Sequence, residues 1–133
     1  MTPRPRVRDY MATDLTLLQP EMEILHAMEV LLEKRISGAP VVKPDGVIVG
    51  VLSKKDCLRA ALNAIYTNTG VGLVRDHMTA SNLVVAHPDE DIVDVAQDML
   101  QKNKRRRPVV EDGKLIGQIT CRQLLTAVKQ FSN

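Results

Sequence analysis

Ser53 and Asp56 place a hydroxyl and a carboxylate three residues apart, a pair that can bind polar groups. They lie in the stretch GVLSKKDCL, where a short apolar run gives way to apolar residues at helical spacing. A serine followed three residues later by an acidic residue is typical of a helix start, because the hydroxyl accepts a hydrogen bond from a free backbone N–H and the helix dipole favours the carboxylate. The pair either caps a helix alone or also contacts a ligand, and this stretch by itself favours the cap.

The remaining reactive side chains do not predict a catalytic or metal site. The sequence has no P-loop, and it shows no Ser-His-Asp or Cys-His spacing that would activate a nucleophile. Cys57 and Cys121 are not in C-x-x-C spacing, and His26, His77 and His87 have no companion cysteines. We therefore expect no enzymatic activity, no metal and no cofactor.

An internal repeat organises the chain, because the same motifs return after 67 or 68 residues. The one-residue differences fall in loops, where such changes are tolerated. The matching pairs are VRDYM at Val7 with VRDHM at Val74, the PVV at Pro40 with that at Pro108, Gly50 with Gly117, and Ser53 with Thr120.

Each repeat predicts the same order of elements, β-α-β-β-α. Residues 15–18 and 83–86 are short extended segments, and each is followed by an amphipathic helix with apolar residues at i, i+3, i+4, i+7 and i+8. Two β-rich runs around an Asp-Gly turn come next, and a helix over about residues 54–65 or 122–131 closes the repeat. The apolar helix positions are Ile24, Ala27, Met28, Leu31 and Leu32 in the first repeat and Ile92, Val95, Ala96, Met99 and Leu100 in the second.

A single repeat of about 60 residues is too small to bury both helices and the sheet well. We therefore expect an α/β (α+β) fold in which two repeats pack sheet to sheet around a pseudo-twofold axis. The first repeat is assigned to residues 1–66, the linker to 67–73 and the second repeat to 74–133.

The composition argues against two classes of partner, nucleic acids and membranes. The chain has 133 residues, of which 44% are hydrophobic, 26% charged and only 2% aromatic, with a formal net charge of +2. So few aromatic residues and so little net charge argue against binding to nucleic acid. There is no apolar run of the roughly 20 residues that span a bilayer, and the start lacks the apolar core of a secretory signal. We expect a cytoplasmic protein that does not bind a membrane.

The chain resembles a tandem pair of cystathionine beta-synthase (CBS) domains over about residues 7–131. The motifs that match are VRDYM and VRDHM, the GAPVV and RRPVV strands, and GVLSKKDCL with GQITCRQLL. Each motif is weak alone, but three motifs in the same order in both repeats, six in all, form a specific pattern. The resemblance implies a regulatory module that binds adenosine-containing nucleotides in the cleft between its repeats.

Within that family the hydroxyl residue of the last motif contacts phosphate and the aspartate contacts the ribose hydroxyls, which assigns these roles to Ser53 and Asp56. Ser37, Gly38 and Ala39 would leave room for a flat base, although simple close packing explains them equally well. The nucleotide-binding residues that the resemblance implies are Thr13, Ser37, Gly38, Ala39, Pro40, Ser53, Asp56, Thr79, Arg106, Arg107, Thr120 and Gln123.

The second repeat departs from the family pattern at Gln123, which stands where the aspartate is expected. Glutamine lacks the charge and reaches farther, so we expect two unequal sites or one. Arg106 and Arg107 precede the second PVV, where basic residues of the family often reach phosphate; the alternative is a solvated helix end.

The first hypothesis for function is a sensor of AMP, ADP or ATP that acts on an unidentified protein partner as a homodimer. S-adenosylmethionine and NAD share the adenosine group and remain open as ligands. The alternatives are a structural dimerisation module with an empty cleft and a nucleic-acid-binding protein using RPRVR and KNKRRR. Apolar stripes on the closing helices would be partly shared with a second chain: Leu58, Ala61, Leu62 and Ile65, and Leu124, Leu125 and Val128.

Overall fold

The computed structural model describes residues 4–131, which form two compact units. One unit is the continuous segment Thr16–Leu83, called here the Ser53 unit. The other joins the residues up to Leu15 to those from Val84 onward, and is called the Thr120 unit. Each unit contains one two-stranded antiparallel sheet and its own hydrophobic core.

The Ser53 unit is built around the hairpin of β1 (Gly38–Val42) and β2 (Ile48–Ser53), flanked by α2 (Ile24–Lys34), α3 (Lys54–Thr67) and the short α4 (Val74–His77). Helix α2 buries Ile24, Ala27 and Leu31, as its apolar spacing predicts, whereas Leu32 is exposed. The core side chains are Leu18, Ile24, Ala27, Leu31, Ala39, Val41, Leu52, Cys57, Ala60 and Val74.

The Thr120 unit repeats this arrangement with α1 (Val7–Tyr10), α5 (Ile92–Gln101), the hairpin of β3 (Arg106–Glu111) and β4 (Lys114–Thr120), and α6 (Cys121–Phe131). Both hairpins shift register at the same place, between Val41 and Val42 and between Val109 and Val110. The hairpins, the amphipathic helices and the mixed α+β class are therefore confirmed.

The first strand predicted for each repeat is reduced to a single bridge. Leu18 pairs in parallel with Val41, donating its N–H to Pro40 O at 3.0 Å and accepting from Val42 N at 2.8 Å. Ala86 pairs with Val109 in the same way. The segments cannot extend further because Pro20 and Pro88 follow two residues later, and proline supplies no N–H to a ladder.

The leading motifs VRDYM and VRDHM form the short helices α1 and α4, which the sequence pattern did not predict. Each packs in the unit that holds the other repeat's hairpin. The N–H of Val7 donates to Glu90 O at 3.0 Å in the Thr120 unit, and that of Val74 donates to Met22 O at 2.8 Å in the Ser53 unit. The compact units thus divide the chain at different points from the sequence repeats.

None of the helices within residues 4–131 is long and apolar enough to cross a bilayer.

An ion pair fastens β3 to α5 in the Thr120 unit. The guanidinium Nη2 of Arg107 lies 2.7 Å from Asp98 Oδ2, and Lys102 Nζ lies 2.9 Å from the same oxygen. The Arg107 side chain is only 4% exposed. The charge of Arg107 is therefore paired with Asp98 within the Thr120 unit.

Gly50 and Gly117 occupy equivalent places where the backbone of another segment approaches β2 or β4. A Cβ on Gly50 would lie 2.9 Å from Thr79 O and 2.7 Å from Met78 Sδ; one on Gly117 would meet Ala12 O and Met11 Sδ at the same distances. The methionine can move, but the carbonyl is held by the bridge between Val51 and Thr79. A methyl group at either position must therefore displace backbone.

We expect Gly50→Ala to lower the free energy of unfolding by about 1–3 kcal/mol, the usual cost of overpacking. Gly70→Ala is the matched control, because nothing lies within 4 Å of the Cβ it would add. Urea denaturation measures both variants. Equal stability of the two variants would contradict the close approach at Gly50.

A second prediction concerns pH. The pKa of Asp98 lies below its ordinary value because Lys102 and then Arg107 hydrogen-bond to its charged form. A carboxyl whose pKa is lowered by folding stabilises the protein above its unfolded pKa, and this stabilisation is lost as the pH falls through the folded value. We expect Asp98→Asn to be less stable than the parent at neutral pH and the difference to shrink on acidification. Urea midpoints across that range, with Asp94→Asn on the same helix as control, test this; a difference independent of pH would contradict it.

Candidate functional site

Ser53 and Asp56 form a reciprocal cap at the start of α3. The N–H of Ser53 donates to Asp56 Oδ2 at 2.9 Å, and the N–H of Asp56 donates to Ser53 Oγ at 3.1 Å. Both residues are thereby fixed at the junction of β2 and α3, and the predicted cap is confirmed. The Ser53 hydroxyl acts as an acceptor here, so its own hydrogen can still be donated to a ligand oxygen.

The outer side of the Asp56 carboxylate is covered by Arg59, one turn along α3. Arg59 Nη1 lies 3.2 Å from Asp56 Oδ1. The Asp56 side chain is 11% exposed, whereas that of Arg59 is 74% exposed. Arg59 is not among the predicted site residues, although an aspartate and an arginine at i and i+3 are a recognisable helical ion-pair spacing.

The first turn of α3 carries two exposed lysines, Lys54 and Lys55. Cations are disfavoured at a helix N-terminus, where the dipole is positive. Together with the positive end of the helix dipole, the two lysines make this end of α3 favourable for an anion.

The strand β1 brings the predicted small residues alongside Ser53. Gly38 pairs with Ser53, and Ser37 O accepts the N–H of Lys54 at 2.8 Å. A Cβ on Gly38 would lie 2.9 Å from Leu52 O, so close packing by itself requires glycine there. The Ala39 side chain is buried in the core, so Ala39 can contact a ligand only through its backbone. Pro40 is also buried.

Thr79 lies beside β2 in the Ser53 unit although it belongs to the second sequence repeat. Thr79 and Val51 exchange two backbone hydrogen bonds, at 2.9 and 3.0 Å. Val51 is two residues before Ser53 on the same strand. The Ser53 unit therefore brings together Ser37, Gly38, Ser53, Asp56 and Thr79.

The corresponding cap in the Thr120 unit has a different donor pattern. The N–H of Thr120 donates to Gln123 Oε1 at 2.8 Å, and the Thr120 hydroxyl donates to the same oxygen. In the Ser53 unit the hydroxyl accepts; here it is used as a donor within the protein. The glutamine thus replaces the aspartate as cap acceptor, but it leaves an uncharged site and engages the threonine hydroxyl.

Arg106 and Arg107, the two residues immediately before the second PVV, lie in different surroundings. Arg106 pairs with Thr120 across the hairpin, beside the start of α6. Arg107 is buried in its ion pair with Asp98, so a phosphate could reach it only by displacing that carboxylate. The structure thus brings Arg106 to the cap at Thr120 and directs Arg107 toward α5.

Thr13 follows Ala12, which bridges to Gln118 of β4 with hydrogen bonds of 2.8 and 2.9 Å. Because the two segments run antiparallel, Thr13, the residue after Ala12, lies toward Gly117 and away from Thr120. Thr13 therefore lies in the same unit as Thr120 and Gln123, but the bridge does not direct it to their cap.

Among residues 4–131, one cluster could hold a metal ion: His87, Asp89 and Glu111 offer ligand atoms within 4.8 Å of one another. Arg8 already supplies a positive charge there, with Nη2 2.8 Å from Asp89 Oδ1 and 3.5 Å from Glu111 Oε2. This contact lowers the pKa of Asp89. The N–H of Asp89 also donates to His87 Nδ1 at 3.1 Å. The cluster is explained as an ion-pair network that joins α1 to the loop before α5.

The two cysteines, both free, are in different surroundings. Burial, and then the charge of Asp56, raise the pKa of the Cys57 thiol, so it stays protonated in the core. Cys121, by contrast, is exposed at the start of α6.

Comparison with known proteins gives this architecture a family. The CBS domain model matches residues 7–63 and 74–130. The chain is 34% identical over 114 residues to the Methanocaldococcus jannaschii protein MJ1225, covering 86% of this chain and 39% of that protein. It is 30% identical over 128 residues to the CBS domain-containing protein YhcV of Bacillus subtilis, covering 96% of this chain and 86% of that protein.

A solved structure of the same kind contains a nucleotide. The crystal structure of CBSX2 of Arabidopsis thaliana in complex with AMP matches with a TM-score of 0.85 and 32% identity, covering 97% of this chain and 99% of that one. The first curated relatives are longer, and the chain spans between 14% and 62% of their length. The family match over both repeats, together with these relatives, shows that the chain belongs to the CBS domain family as a tandem pair.

Proposed function

We propose that the chain is a regulatory module without catalytic activity of its own, which binds an adenine nucleotide and transmits the binding to a protein partner. The observation that carries the proposal is the cap at the start of α3, where a hydroxyl and a carboxylate meet at the positive end of a helix. The AMP complex of CBSX2, at 32% identity, supports the choice of ligand.

In this proposal Asp56 accepts hydrogen bonds from the two ribose hydroxyls. A carboxylate has acceptor capacity for several donors, and the Ser53 N–H uses only part of it. The phosphate lies near Ser53 Oγ and the N-terminus of α3, where Lys54 and Lys55 add positive charge. Thr79 and the backbone of Ser37 and Gly38 complete the site within the Ser53 unit.

The Thr120 unit supplies a weaker site. Gln123 offers a neutral acceptor that Thr120 already uses twice. Arg106, next to Thr120 on the hairpin, provides a cation near the start of α6. Unequal affinity of the two units follows, with the Ser53 unit as the tighter one.

A homodimer is part of the proposal because α3 leaves an apolar stripe uncovered. Leu58, Leu62 and Ile65 are 61%, 45% and 73% exposed, and their spacing of four and three residues places them on one face of the helix. Its buried face is made of other residues, including Cys57 and Ala60. Exposed apolar patches on helices commonly mark contacts between chains.

The first test replaces Asp56 by Asn, which keeps the size but turns one acceptor oxygen into a donor. Hydrogen bonds to charged groups contribute about 1.5–3 kcal/mol, so affinity for AMP should fall about 10- to 150-fold. Because Asp56 also caps α3, the free energy of unfolding should fall by about 1 kcal/mol. Calorimetric titration and thermal melts measure the two effects.

Asp9→Asn is the matched control, because Asp9 caps α1 by accepting the Arg6 N–H at 2.8 Å. It should lose stability without losing affinity. The converse variant, Gln123→Asp, should strengthen the second site. If Asp56→Asn binds AMP as the parent does, Asp56 is a cap alone and the ligand assignment is wrong; if the parent binds no adenine compound, the dimerisation module is favoured.

The second test addresses assembly. Light scattering should give twice the 14.8 kDa mass of one chain at micromolar concentration. Leu62→Glu should shift the mass toward the monomer, because a charge would be buried in the contact. Leu17→Glu, at an exposed leucine outside α3, is the control. A parent chain that stays monomeric would contradict the dimer.

A further inference from the structure

We propose that Arg59 acts as a movable cover on Asp56 and competes with the ribose for its carboxylate. This inference rests on the proposed nucleotide site and adds to it a residue that sets affinity. It begins from the different exposure of the two partners: the Asp56 side chain is 11% exposed and that of Arg59 is 74% exposed.

The two oxygens of Asp56 have different partners. Oδ2 accepts the Ser53 N–H at 2.9 Å, a bond that fixes the start of α3. Oδ1 accepts Arg59 Nη1 at 3.2 Å. A ligand that displaced the first bond would uncap the helix, whereas displacing the second moves only a surface side chain. Since the Asp56 side chain is only 11% exposed and Oδ2 is held in the cap, we infer that the diol approaches Oδ1 from the side that Arg59 covers and displaces it.

Arg59 can leave at small cost. It lies on the solvent side of α3, and an ion pair between an exposed cation and a carboxylate three residues away is weak. The pair must nevertheless be broken for each binding event, so it reduces the apparent affinity. From the usual strength of such pairs the reduction is about two- to fivefold.

Salt dependence separates this competition from attraction to phosphate. Adenosine carries no phosphate, so added salt has no ionic contact of the ligand to weaken. Salt does screen the Arg59–Asp56 pair, because the Debye length falls from about 10 Å at 0.1 M to about 3 Å at 1 M. Adenosine affinity of the parent should therefore rise with salt.

The experiment is calorimetric titration of adenosine and AMP into the full chain at low and high KCl. Arg59→Ala should bind adenosine about two- to fivefold more tightly than the parent at low salt, and the difference should close at high salt. Lys34→Ala, an exposed cation of α2 in the same unit, is the control for the lost charge and should bind as the parent does. Combining Arg59→Ala with Asp56→Asn should remove the gain, because the competing partner is then altered.

Two results would overturn the inference while leaving the nucleotide site intact. If the parent binds AMP and Arg59→Ala binds adenosine no more tightly than Lys34→Ala does, Arg59 does not compete. If Arg59→Ala binds adenosine more weakly, the guanidinium contacts the ligand directly. Failure of the parent to bind either compound would instead overturn the proposed function, and this inference with it.

Discussion

The reciprocal hydrogen bonds between Ser53 and Asp56 position both the start of α3 and the candidate site. They end β2 and begin α3 at one residue, and they hold a carboxylate and a hydroxyl at the same helix N-terminus. A cap needs an acceptor on each side chain, and a nucleotide needs a phosphate and a diol contact. The same two residues can meet both needs because the cap leaves one carboxylate oxygen and the hydroxyl hydrogen for other partners. The cap and the ligand site are thus compatible uses of one local structure.

The Thr120 unit shows what happens when one member of that pair changes. Its hairpin, its helices and its register shift repeat those of the Ser53 unit. Gln123 still accepts the N–H of Thr120, so the fold survives the loss of the aspartate. The hydroxyl, however, now donates within the protein, and no charge is left for a diol. The fold tolerates the change because capping needs only an acceptor, whereas the proposed ribose contact needs a charged one.

Much of the architecture follows from the sequence, because the spacing of apolar residues along a helix and the residue types of a turn are local properties. The apolar spacing of α2 and α5 identified their buried residues, although Leu32 and Leu100, at the predicted apolar positions, are exposed. The Asp-Gly turns identified the hairpins. The helices α1 and α4 were missed, since four residues are too few to show a helical period. The exchange of these helices between the repeats depends on long-range contacts such as Val7 to Glu90, which no local pattern contains.

The candidate site was predicted only in part, because some of its contacts are local in sequence and others are long-range. Ser53 and Asp56 come together through three residues of spacing, and Thr79 joins them through a bridge that only the fold reveals. Ala39 and Arg107 have the residue types and neighbours expected of ligand contacts, yet their side chains face the core and Asp98. Strand alternation decides this, because Arg106 and Arg107 point to opposite faces of β3.

The most direct measurement of the central claim is a map of backbone amide chemical shifts during titration with AMP. If the cap of α3 holds the nucleotide, the first and largest changes occur at Ser53, Lys54 and Asp56, and Thr120 and Cys121 respond only at higher concentration. Changes that begin at the start of α6, or that spare both helix starts, would contradict it.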